Sequence, residues 1–366
     1  MKRLKLIIVY ELLRWVCWLD LVCWKCGRTY EYSPGLYRCA SCGEYLLVKH
    51  ELKAEGLSEV NTLVDAELRR VSLGEGRTPI IRFDGVYLKL ESLNPTGSFK
   101  DRGAASAVSE AVFRGCSTIV EDSSGNAGIS FSAYAGYAGL KAKIYVPADA
   151  PLGKRRLIRA LGATIVEAPS RDEAARLAVN DSEGCYVGHR VNPYFLEGVK
   201  DLALELVREF KRVDYVVSPL ASGTLVIGLW KGYVELLKAG LVEEVPKIVA
   251  VQACGYDSLR KYVRPRYDVC RSKAVLPDGI RLTDAPRLEH VAKILSETGG
   301  YYVVLDDEVV KPYIKELWGR GVLAEPTSAY GYAAAKLLIK EGLMDGVVVV
   351  PITGNGVKHV VGGVEL

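Results

Sequence analysis

Lys100 is the first residue whose surroundings suggest chemistry. It stands at the predicted start of a helix, directly after the segment Gly97-Ser98-Phe99. A helix N-terminus and an apolar wall both disfavour the charged ammonium form, so this amine could act as a nucleophile near neutral pH. Taken alone, a lysine at a helix start is better explained as a solvated surface group. The motifs around it must decide between the two interpretations.

Four glycine-rich polar segments follow predicted strands. They are residues 94–100, 122–128, 219–224 and 353–356. In open α/β sheets, ligands bind at the carboxyl ends of strands, and the free N–H groups of a helix N-terminus bind anions. Such turns together with a lysine predict a ligand with two acidic groups, such as an amino acid joined to a phosphorylated cofactor. No segment matches a dinucleotide-binding fingerprint or a Gly-x4-Gly-Lys-Ser/Thr loop.

Four of the nine cysteines form two Cys-x2-Cys pairs separated by twelve residues. These residues are Cys23, Cys26, Cys39 and Cys42. Two thiolate pairs on tight turns can converge on a tetrahedral metal, so the spacing predicts a structural zinc site, although iron fits the same ligands. Two disulfides are the alternative, which a reducing cytosol disfavours. The remaining cysteines are expected to be small buried apolar residues: Cys17, Cys116, Cys185, Cys254 and Cys270.

Apolar strands alternate with helical segments from about residue 76 onwards, which predicts parallel sheets in an α/β fold. The number of strands suggests two sheets. Strands are predicted at 86–90, 118–121, 143–146, 164–167, 215–218, 247–252, 301–305 and 346–351. Helices are predicted at 102–114, 127–138, 153–161, 171–179, 196–210, 225–238, 307–318 and 328–340. Residues 17–50 are predicted to form a zinc-ribbon-like segment, and residues 51–75 a polar helical connector.

The composition excludes several classes of protein. A hydrophobic fraction of 49% with 25% charged residues is typical of a globular chain and excludes a disordered one. A net charge of +4 over 366 residues gives no reason to expect a nucleic-acid partner. No apolar run reaches about 18 residues, so we expect no membrane partner and a cytoplasmic location. The single glutamine, Gln252, and the two methionines suggest a thermophilic source.

Residues 94–102 closely resemble the lysine segment of pyridoxal-phosphate (PLP) enzymes of the tryptophan synthase β fold, also called fold type II. Within this group the chain is most similar to the threonine synthases. Further segments match the family's motifs in the family's order: 123–128, 192–198, 325–329 and 353–358. The resemblance spans about residues 70–360. An isolated solvated lysine is then a poor account of Lys100.

The resemblance implies the fold and the activity. The fold would have a large PLP-binding α/β domain of residues 51–110 and 170–366 and a small α/β domain of residues 111–169, and the family commonly forms homodimers. The activity would be that of a lyase which converts O-phospho-L-homoserine and water to L-threonine and phosphate. The partner would thus be a small, phosphorylated amino acid.

The resemblance also implies a role for each matching residue. Lys100 would bind the cofactor aldehyde and then move protons on the substrate. Asn126 would hydrogen-bond the phenolic oxygen of PLP, and Thr353 would face its pyridine nitrogen. The cofactor phosphate would lie in a cradle of small residues, Ala221, Ser222, Gly223 and Thr224. The substrate carboxylate would bind at a helix N-terminus formed by Ser123, Ser124 and Ala127.

The sequence departs from the threonine synthase pattern at positions that concern the substrate. Phe195 stands where the family has an arginine that contacts the substrate phosphate. His189 and Arg190 replace a polar Asn-Ser pair, and either could supply the lost contact; Arg190 could equally be a surface ion-pair residue. The stretch Gly279-Ile280-Arg281 is similar to the dehydratases instead.

Two alternatives therefore stay open. One is a sister enzyme, either a phosphoserine-dependent cysteine or cysteate synthase or a threonine dehydratase. The other is a non-enzymatic ribbon protein that binds nucleic acid or another protein through basic and aromatic residues. Three histidines have no partner in the sequence and are expected at the surface: His50, His290 and His359.

Overall fold

The computed structural model describes residues 19–360, in which the chain forms three β-sheets. The smallest sheet belongs to the cysteine ribbon. Its strands are β1 (Leu21–Cys23), β2 (Thr29–Tyr30) and β3 (Leu46–Val48), and both pairings are antiparallel. The other two sheets have the α/β character that the alternation predicts. Cys17 lies outside the described residues.

The largest sheet has seven strands. They are β4 (Ile80–Phe83), β5 (Val86–Lys89), β10 (Tyr215–Pro219), β11 (Lys247–Ala253), β12 (Tyr267–Val269), β13 (Tyr301–Leu305) and β14 (Val348–Pro351). The strand order is β12-β13-β11-β10-β14-β5-β4, and only the β4–β5 pair is antiparallel. Every residue of β10 is buried, as expected for a central parallel strand covered on both faces.

The smaller sheet has four parallel strands. They are β6 (Thr118–Glu121), β7 (Lys141–Pro147), β8 (Thr164–Ala168) and β9 (Cys185–Tyr186). Their order is β8-β7-β6-β9. Because β9 pairs with β6, the chain around residue 185 contributes to this sheet, whereas the family resemblance assigned residues from 170 onwards to the larger domain.

Ten helices accompany the sheets within residues 19–360. They are α1 (Lys100–Phe113), α2 (Asn126–Tyr137), α3 (Leu152–Ala160), α4 (Arg171–Val179), α5 (Pro193–Glu209), α6 (Thr224–Lys238), α7 (Leu288–Thr298), α8 (Asp307–Gly319), α9 (Pro326–Lys340) and α10 (Val357–Val360). Helix α5 packs against α1 and α6, and α1 packs against α2. None of these helices is long and apolar enough to cross a bilayer.

The predicted fold class is confirmed, but the connector prediction is wrong. Residues 51–75 contain only two short 3-10 turns, Leu57–Glu59 and Ala66–Arg69. Val60 and Leu63 are buried and fix this segment to the core, and their i, i+3 spacing is that of an amphipathic helix although no helix forms there. The segment therefore packs against the core with almost no regular secondary structure.

The prediction for the scattered cysteines is only partly confirmed, because Cys116 and Cys254 are buried but neither is a free thiol. Cys116 and Cys185 form one disulfide, and Cys254 and Cys270 form another. Cys270 is exposed and so is not a small core residue. The sequence could not reveal these pairs, because each brings together residues that only the folded sheets place side by side.

Candidate active site

One cavity of about 1150 Å³, including its open mouth, lies at the carboxyl ends of strands from both larger sheets. Its walls include the turns that follow β6, β10 and β14. Every site residue predicted outside the cysteine ribbon lines it: Lys100, Ser123, Ser124, Asn126, Ala127, His189, Arg190, Ala221, Ser222, Gly223, Thr224 and Thr353. The structure thus brings these residues together, while their individual roles stay predictions.

Lys100 is the first residue of α1, and its amine faces the cavity. The Nζ atom lies 4.7 Å from the ring centre of Phe99 and 5.4 Å from that of Phe195. Its hydrogen bond to Thr224 Oγ1 is long, at 3.5 Å. Removal from water lowers the pKa of Lys100 to about 8, although the carboxylate of Glu325 opposes the shift. A substantial neutral fraction near pH 8 suits a nucleophile or a base.

The turn between β10 and α6 forms an anion cradle. Gly223, which precedes α6, has φ of +87°, a left-handed conformation that glycine adopts without strain. A Cβ atom at this position would lie only 2.9 Å from Val291 Cγ2, so the backbone can approach its neighbour closely because no side chain is present. The hydroxyls of Ser222 and Thr224 lie 3.4 Å apart beside the free N–H groups of the helix. Donors in this arrangement suit a phosphate group.

The amide of Asn126 is held from both ends. Lys358 Nζ donates to its Oδ1 at 2.7 Å, and its Nδ2 donates to Glu325 Oε2 at 2.9 Å. Lys358 also donates to the backbone carbonyls of Gly97 and Thr96, at 3.0 and 3.3 Å. Burial lowers the pKa of Lys358 to about 8. One lysine therefore orients Asn126 and ties it to the segment that carries Lys100.

Thr353 lies at the end of β14 with its hydroxyl inside a small polar network. Ser328 Oγ lies 2.9 Å from Thr353 Oγ1, and Thr353 donates to Glu325 Oε1 at 3.2 Å. Glu325 thus contacts both Thr353 and Asn126. The sequence did not single out Glu325 or Lys358 as site residues, although both lie in segments that match the family.

His189 pairs with a buried carboxyl group. Its Nδ1 lies 2.5 Å from Glu121 Oε1, and its backbone N–H donates to Glu121 Oε2 at 3.0 Å. Burial raises the pKa of Glu121 well above its ordinary value and lowers the pKa of His189 well below its own. Both directions describe an uncharged pair in which the carboxyl donates to Nδ1. Nε2 then carries a hydrogen and offers a donor.

Arg190 lies in the cavity wall and also forms an ion pair. Its guanidinium contacts Asp122, which in turn accepts from the Tyr186 hydroxyl at 2.9 Å. The carbonyls of Arg190 and Val191 accept from Arg287, at 3.2 and 2.7 Å. Arg190 is therefore an ion-pair residue in the cavity wall, and a contact with the substrate phosphate stays a prediction.

Comparison with known proteins decides the family. The profile described as "Pyridoxal-phosphate dependent enzyme" matches residues 71–354, which is more than half of the chain. The chain belongs to the family of pyridoxal-phosphate-dependent enzymes. This PLP-dependent enzyme is 29% identical to a protein named threonine synthase from Methanocaldococcus jannaschii, over 92% of each chain. A protein of the same name from Mycobacterium tuberculosis is 30% identical over 79% of this chain and 83% of its own.

Solved structures share the fold of this PLP-dependent enzyme. O-ureido-L-serine synthase matches with a TM-score of 0.66 and 22% identity, over 82% of this chain and 93% of that chain. Threonine deaminase isoform 2 from Solanum lycopersicum matches with a TM-score of 0.65 and 22% identity, over 79% and 81%. These likenesses show the fold type II architecture.

The residues of the cavity fit the PLP group that the family uses. The cradle before α6 offers backbone and hydroxyl donors for a phosphate, and a side chain at Gly223 would clash. Lys100 presents an amine of low basicity within the same cavity. Asn126 and Thr353 offer the polar atoms that a substituted pyridine ring needs at its edges.

Phe195 does not line the cavity of this PLP-dependent enzyme. Its ring is fully buried and stacks on Phe131 at 6.1 Å between ring centres. A Cβ atom on Gly103 would lie 2.4 Å from the Phe195 ring, so Phe195 fills a space that glycine leaves in α1. At this position the chain therefore has a core residue and no charged group that could reach a substrate.

The sequence missed four further cavity residues. They are Lys154, Arg171, Asp278 and Arg281. Lys154 forms an ion pair with Asp278. Only the stretch around Gly279 gave a sequence signal for this wall.

The prediction that three histidines lie at the surface is wrong. His359 is buried beside the cavity, with its Nε2 atom 3.6 Å from Asp278, and His290 is buried against Trp24. His50 is partly buried and contacts Glu235 at 2.9 Å, which contradicts a free surface position.

The paired cysteines converge as predicted. The four Sγ atoms all lie within 4.8 Å of one another; they belong to Cys23, Cys26, Cys39 and Cys42. The Cys23–Cys42 and Cys26–Cys39 sulfur distances are 3.5 and 3.6 Å. No disulfide joins them, which excludes the alternative pairing within the described structure.

Proposed function

We propose that this PLP-dependent enzyme converts O-phospho-L-homoserine and water to L-threonine and phosphate. The observation that carries the proposal is the presence of the Lys100 amine, the phosphate cradle and the β6–α2 turn in one cavity. The proposal is supported by the relatives named threonine synthase, which are similar to this chain over most of their length. Bound PLP would supply an aldehyde for the substrate amine and a sink for the electrons left on the substrate carbon.

Lys100 is the base in this proposal. Its amine removes the proton from Cα and then a proton from Cβ, after which the bond between Cγ and the phosphate oxygen breaks. A proton is returned to Cγ, water adds its hydroxyl group at Cβ and gives up its other proton, and a proton is returned to Cα. The third proton is taken up by the departing phosphate. The products are threonine and phosphate, so atoms and charges balance. A lysine with a pKa near 8 can both accept and release protons in this sequence.

The remaining residues bind and orient the substrate. The hydroxyls of Ser123 and Ser124 and the N–H groups at the start of α2 would take the α-carboxylate, because a helix N-terminus favours an anion. Lys358 holds Asn126 in one orientation, so its amide can fix the cofactor ring. The Nε2–H of His189 would donate to an oxygen of the substrate.

A sister activity is the second candidate. The resemblance predicts an arginine at position 195, but the residue there is Phe195, which is buried in the core. The substrate could then be phosphoserine, in an enzyme that replaces the phosphate, or threonine, in a dehydratase. Both reactions would use the same lysine and cradle.

A substrate panel tests the proposal. Purified enzyme with PLP is incubated with phosphohomoserine, phosphoserine, threonine and serine, and the release of phosphate, ammonia and keto acid is measured. We expect phosphate and threonine from phosphohomoserine at a rate at least tenfold above any other turnover. Ammonia and keto acid from threonine as the main products would instead establish the dehydratase.

A second experiment tests Lys100. Reduction with borohydride followed by peptide mass spectrometry should find the pyridoxyl group on Lys100. The variant Lys100→Ala should lose the adduct and all turnover, whereas Lys211→Ala, at an exposed lysine, should keep both. An adduct at any other lysine would contradict the assignment.

The four cysteines are proposed to hold a structural zinc ion. With Zn–S bonds of about 2.3 Å, a tetrahedron places its sulfurs about 3.8 Å apart, which is close to the separations of 3.5 and 3.6 Å. All four ligands come from the protein, so such an ion would have no open position for a substrate.

A further inference from the structure

Two arginines in the cavity have no counter-ion. Arg171 is the first residue of α4, and Arg281 follows the turn Asp278–Ile280. Both line the cavity. Within residues 19–360, neither guanidinium has a carboxylate within 4.0 Å or a hydrogen-bond partner, whereas the cavity's Lys154 pairs with Asp278 and its Arg190 with Asp122.

The positive charges also act on one another. Burial lowers the pKa of Arg171, and the neighbouring guanidinium groups of Arg190 and Arg281 lower it further, against the weaker pull of Asp278 and Asp149. Like charges that are partly removed from water are unfavourable unless an anion joins them. An arrangement of this kind is typical of a site whose missing partner is a ligand.

The cofactor phosphate already has a separate cradle. The residues Ala221–Thr224 precede α6, and Gly223 in that turn packs against Val291 of α7. Arg171 belongs to the smaller sheet's helices, and Arg281 belongs to the segment before α7. The two arginines therefore belong to other elements than the cradle. An anion bound between them would be a second anion in the cavity, in addition to the cofactor phosphate.

The substrate must also find its phosphate contact at a new place. Phe195 replaces the arginine that the family resemblance predicts, and its ring faces the core. Arg190 is already engaged by Asp122. Only Arg171 and Arg281 remain as unpaired guanidinium groups among the cavity residues described.

We propose that Arg171 and Arg281 form a second anion site that binds the phosphate monoester of the substrate and selects phosphorylated amino acids over their unphosphorylated counterparts. The inference rests on the proposed function, in that the substrate binds in this cavity beside Lys100. Two planar guanidinium groups can each donate two parallel hydrogen bonds to phosphate oxygens, which lysine or a hydroxyl cannot do.

The test compares Arg171→Met and Arg281→Met with Arg159→Met, an arginine whose side chain is 51% exposed and which contacts Glu167. Steady-state kinetics are measured for phosphohomoserine and phosphoserine. Each cavity variant should raise KM for a phosphorylated substrate by about 10- to 100-fold, the loss expected for a charged hydrogen bond, with a smaller effect on kcat. Arg171→Lys should recover part of the loss, and Arg159→Met should behave as wild type.

A binding measurement needs no turnover. Calorimetric titration of the PLP-loaded enzyme with inorganic phosphate should show a site that both cavity variants weaken by a similar factor. If wild-type enzyme turns over no phosphorylated amino acid but this phosphate site exists and needs both arginines, the proposed function fails and the anion site stands. An unchanged KM for phosphohomoserine in both variants would overturn the anion site, as would a parallel loss of bound PLP, which would assign the arginines to the cofactor phosphate.

Discussion

Lys100 owes the low pKa of its amine to where the amine is placed. The aromatic rings of Phe99 and Phe195 lie close to the Nζ atom. The hydrogen bond from Nζ to Thr224 Oγ1 is long. The carboxylate of Glu325 acts from a distance and opposes a further fall of the pKa below about 8. A balance between burial and distant charge leaves an amine that can exchange a proton near neutral pH.

The rate of PLP capture by the apoenzyme should follow this pKa. We expect the rate to rise with pH and to level off above about pH 8, because only the neutral amine attacks the aldehyde. An ordinary lysine would keep gaining rate up to about pH 10. Stopped-flow absorbance at a series of pH values measures the profile, and a profile still rising at pH 9.5 would contradict it.

The same shift has a consequence for stability. The folded pKa lies below the ordinary value of 10.5, so between about pH 8 and 10.5 the unfolded chain binds more protons than the folded one. The free energy of unfolding of the apoenzyme should therefore gain from this group as the pH rises through that window. Lys100→Met, the control for both measurements, should abolish PLP capture and flatten this part of the stability profile.

Site residues differ in how far sequence alone could predict them. Lys100, Asn126 and Thr353 lie in short motifs whose residues are neighbours in the chain, so their place in one cavity could be expected. Glu121 and Arg171 have no motif, and their significance comes from partners that tertiary structure supplies or withholds. The sequence therefore predicted the cavity walls that carry motifs and missed the wall that contains Arg171.

At the scale of elements, a disulfide fastens the edge of the smaller sheet. Cys116 stands just before β6, and Cys185 begins β9, which is only two residues long. Two residues pair weakly with a neighbouring strand, so the covalent link helps to keep β9 in register. The chain after β9 leads directly to His189 and Arg190, so the same link supports the cavity wall.

Removal of this disulfide should destabilise the protein. Because the bridged residues are 69 positions apart, the chain-entropy argument gives an upper value of about 4 kcal/mol for Cys116→Ala/Cys185→Ala, against about 3 kcal/mol for the pair Cys254 and Cys270, which are 16 apart. Urea unfolding with and without reductant measures both. Equal stability of wild type and the first double variant, in the absence of reductant, would contradict the prediction.

The elements themselves were predicted unevenly. Strand β13 and helix α4 were predicted with the bounds the structure shows, because β13 is a continuous apolar run and α4 follows a serine that caps its first turn. Short edge strands such as β9 and β12 were missed, since two or three residues carry no periodic signal. Helix α7 was missed as well, although its residues are well spaced for a helix.

At the scale of the whole molecule, the cysteine ribbon packs on the enzyme body. Trp24 stacks on His290 at 4.2 Å between ring centres, and Lys25 pairs with Glu289 at 3.0 Å. The Tyr37 hydroxyl donates to the carbonyl of Tyr186 at 2.9 Å. The ribbon thus contacts α7 and the segment that leads to His189.

Zinc should be bound once per chain and should stabilise the fold. Elemental analysis should find about one zinc, and removal by a chelator should lower the melting temperature, because free thiolates on neighbouring turns repel one another. Cys26→Ser should bind little metal, whereas Ser41→Ala, in the same turn, should bind it as wild type does. A metal-free protein with unchanged melting temperature would remove the structural role.

Arg287 contacts both the cysteine ribbon and the cavity wall. Its guanidinium lies 5.1 Å from the ring centre of Tyr45 in the ribbon, and it holds the carbonyls of Arg190 and Val191 in the cavity wall. In a shortened chain that began after residue 50, the Tyr45 ring would be missing, and the guanidinium of Arg287, which is 1% exposed in the structure, would lose this contact. The cysteine ribbon therefore supports the cavity wall through Arg287, and a chain without the ribbon would need other contacts to hold the carbonyls of Arg190 and Val191 in place.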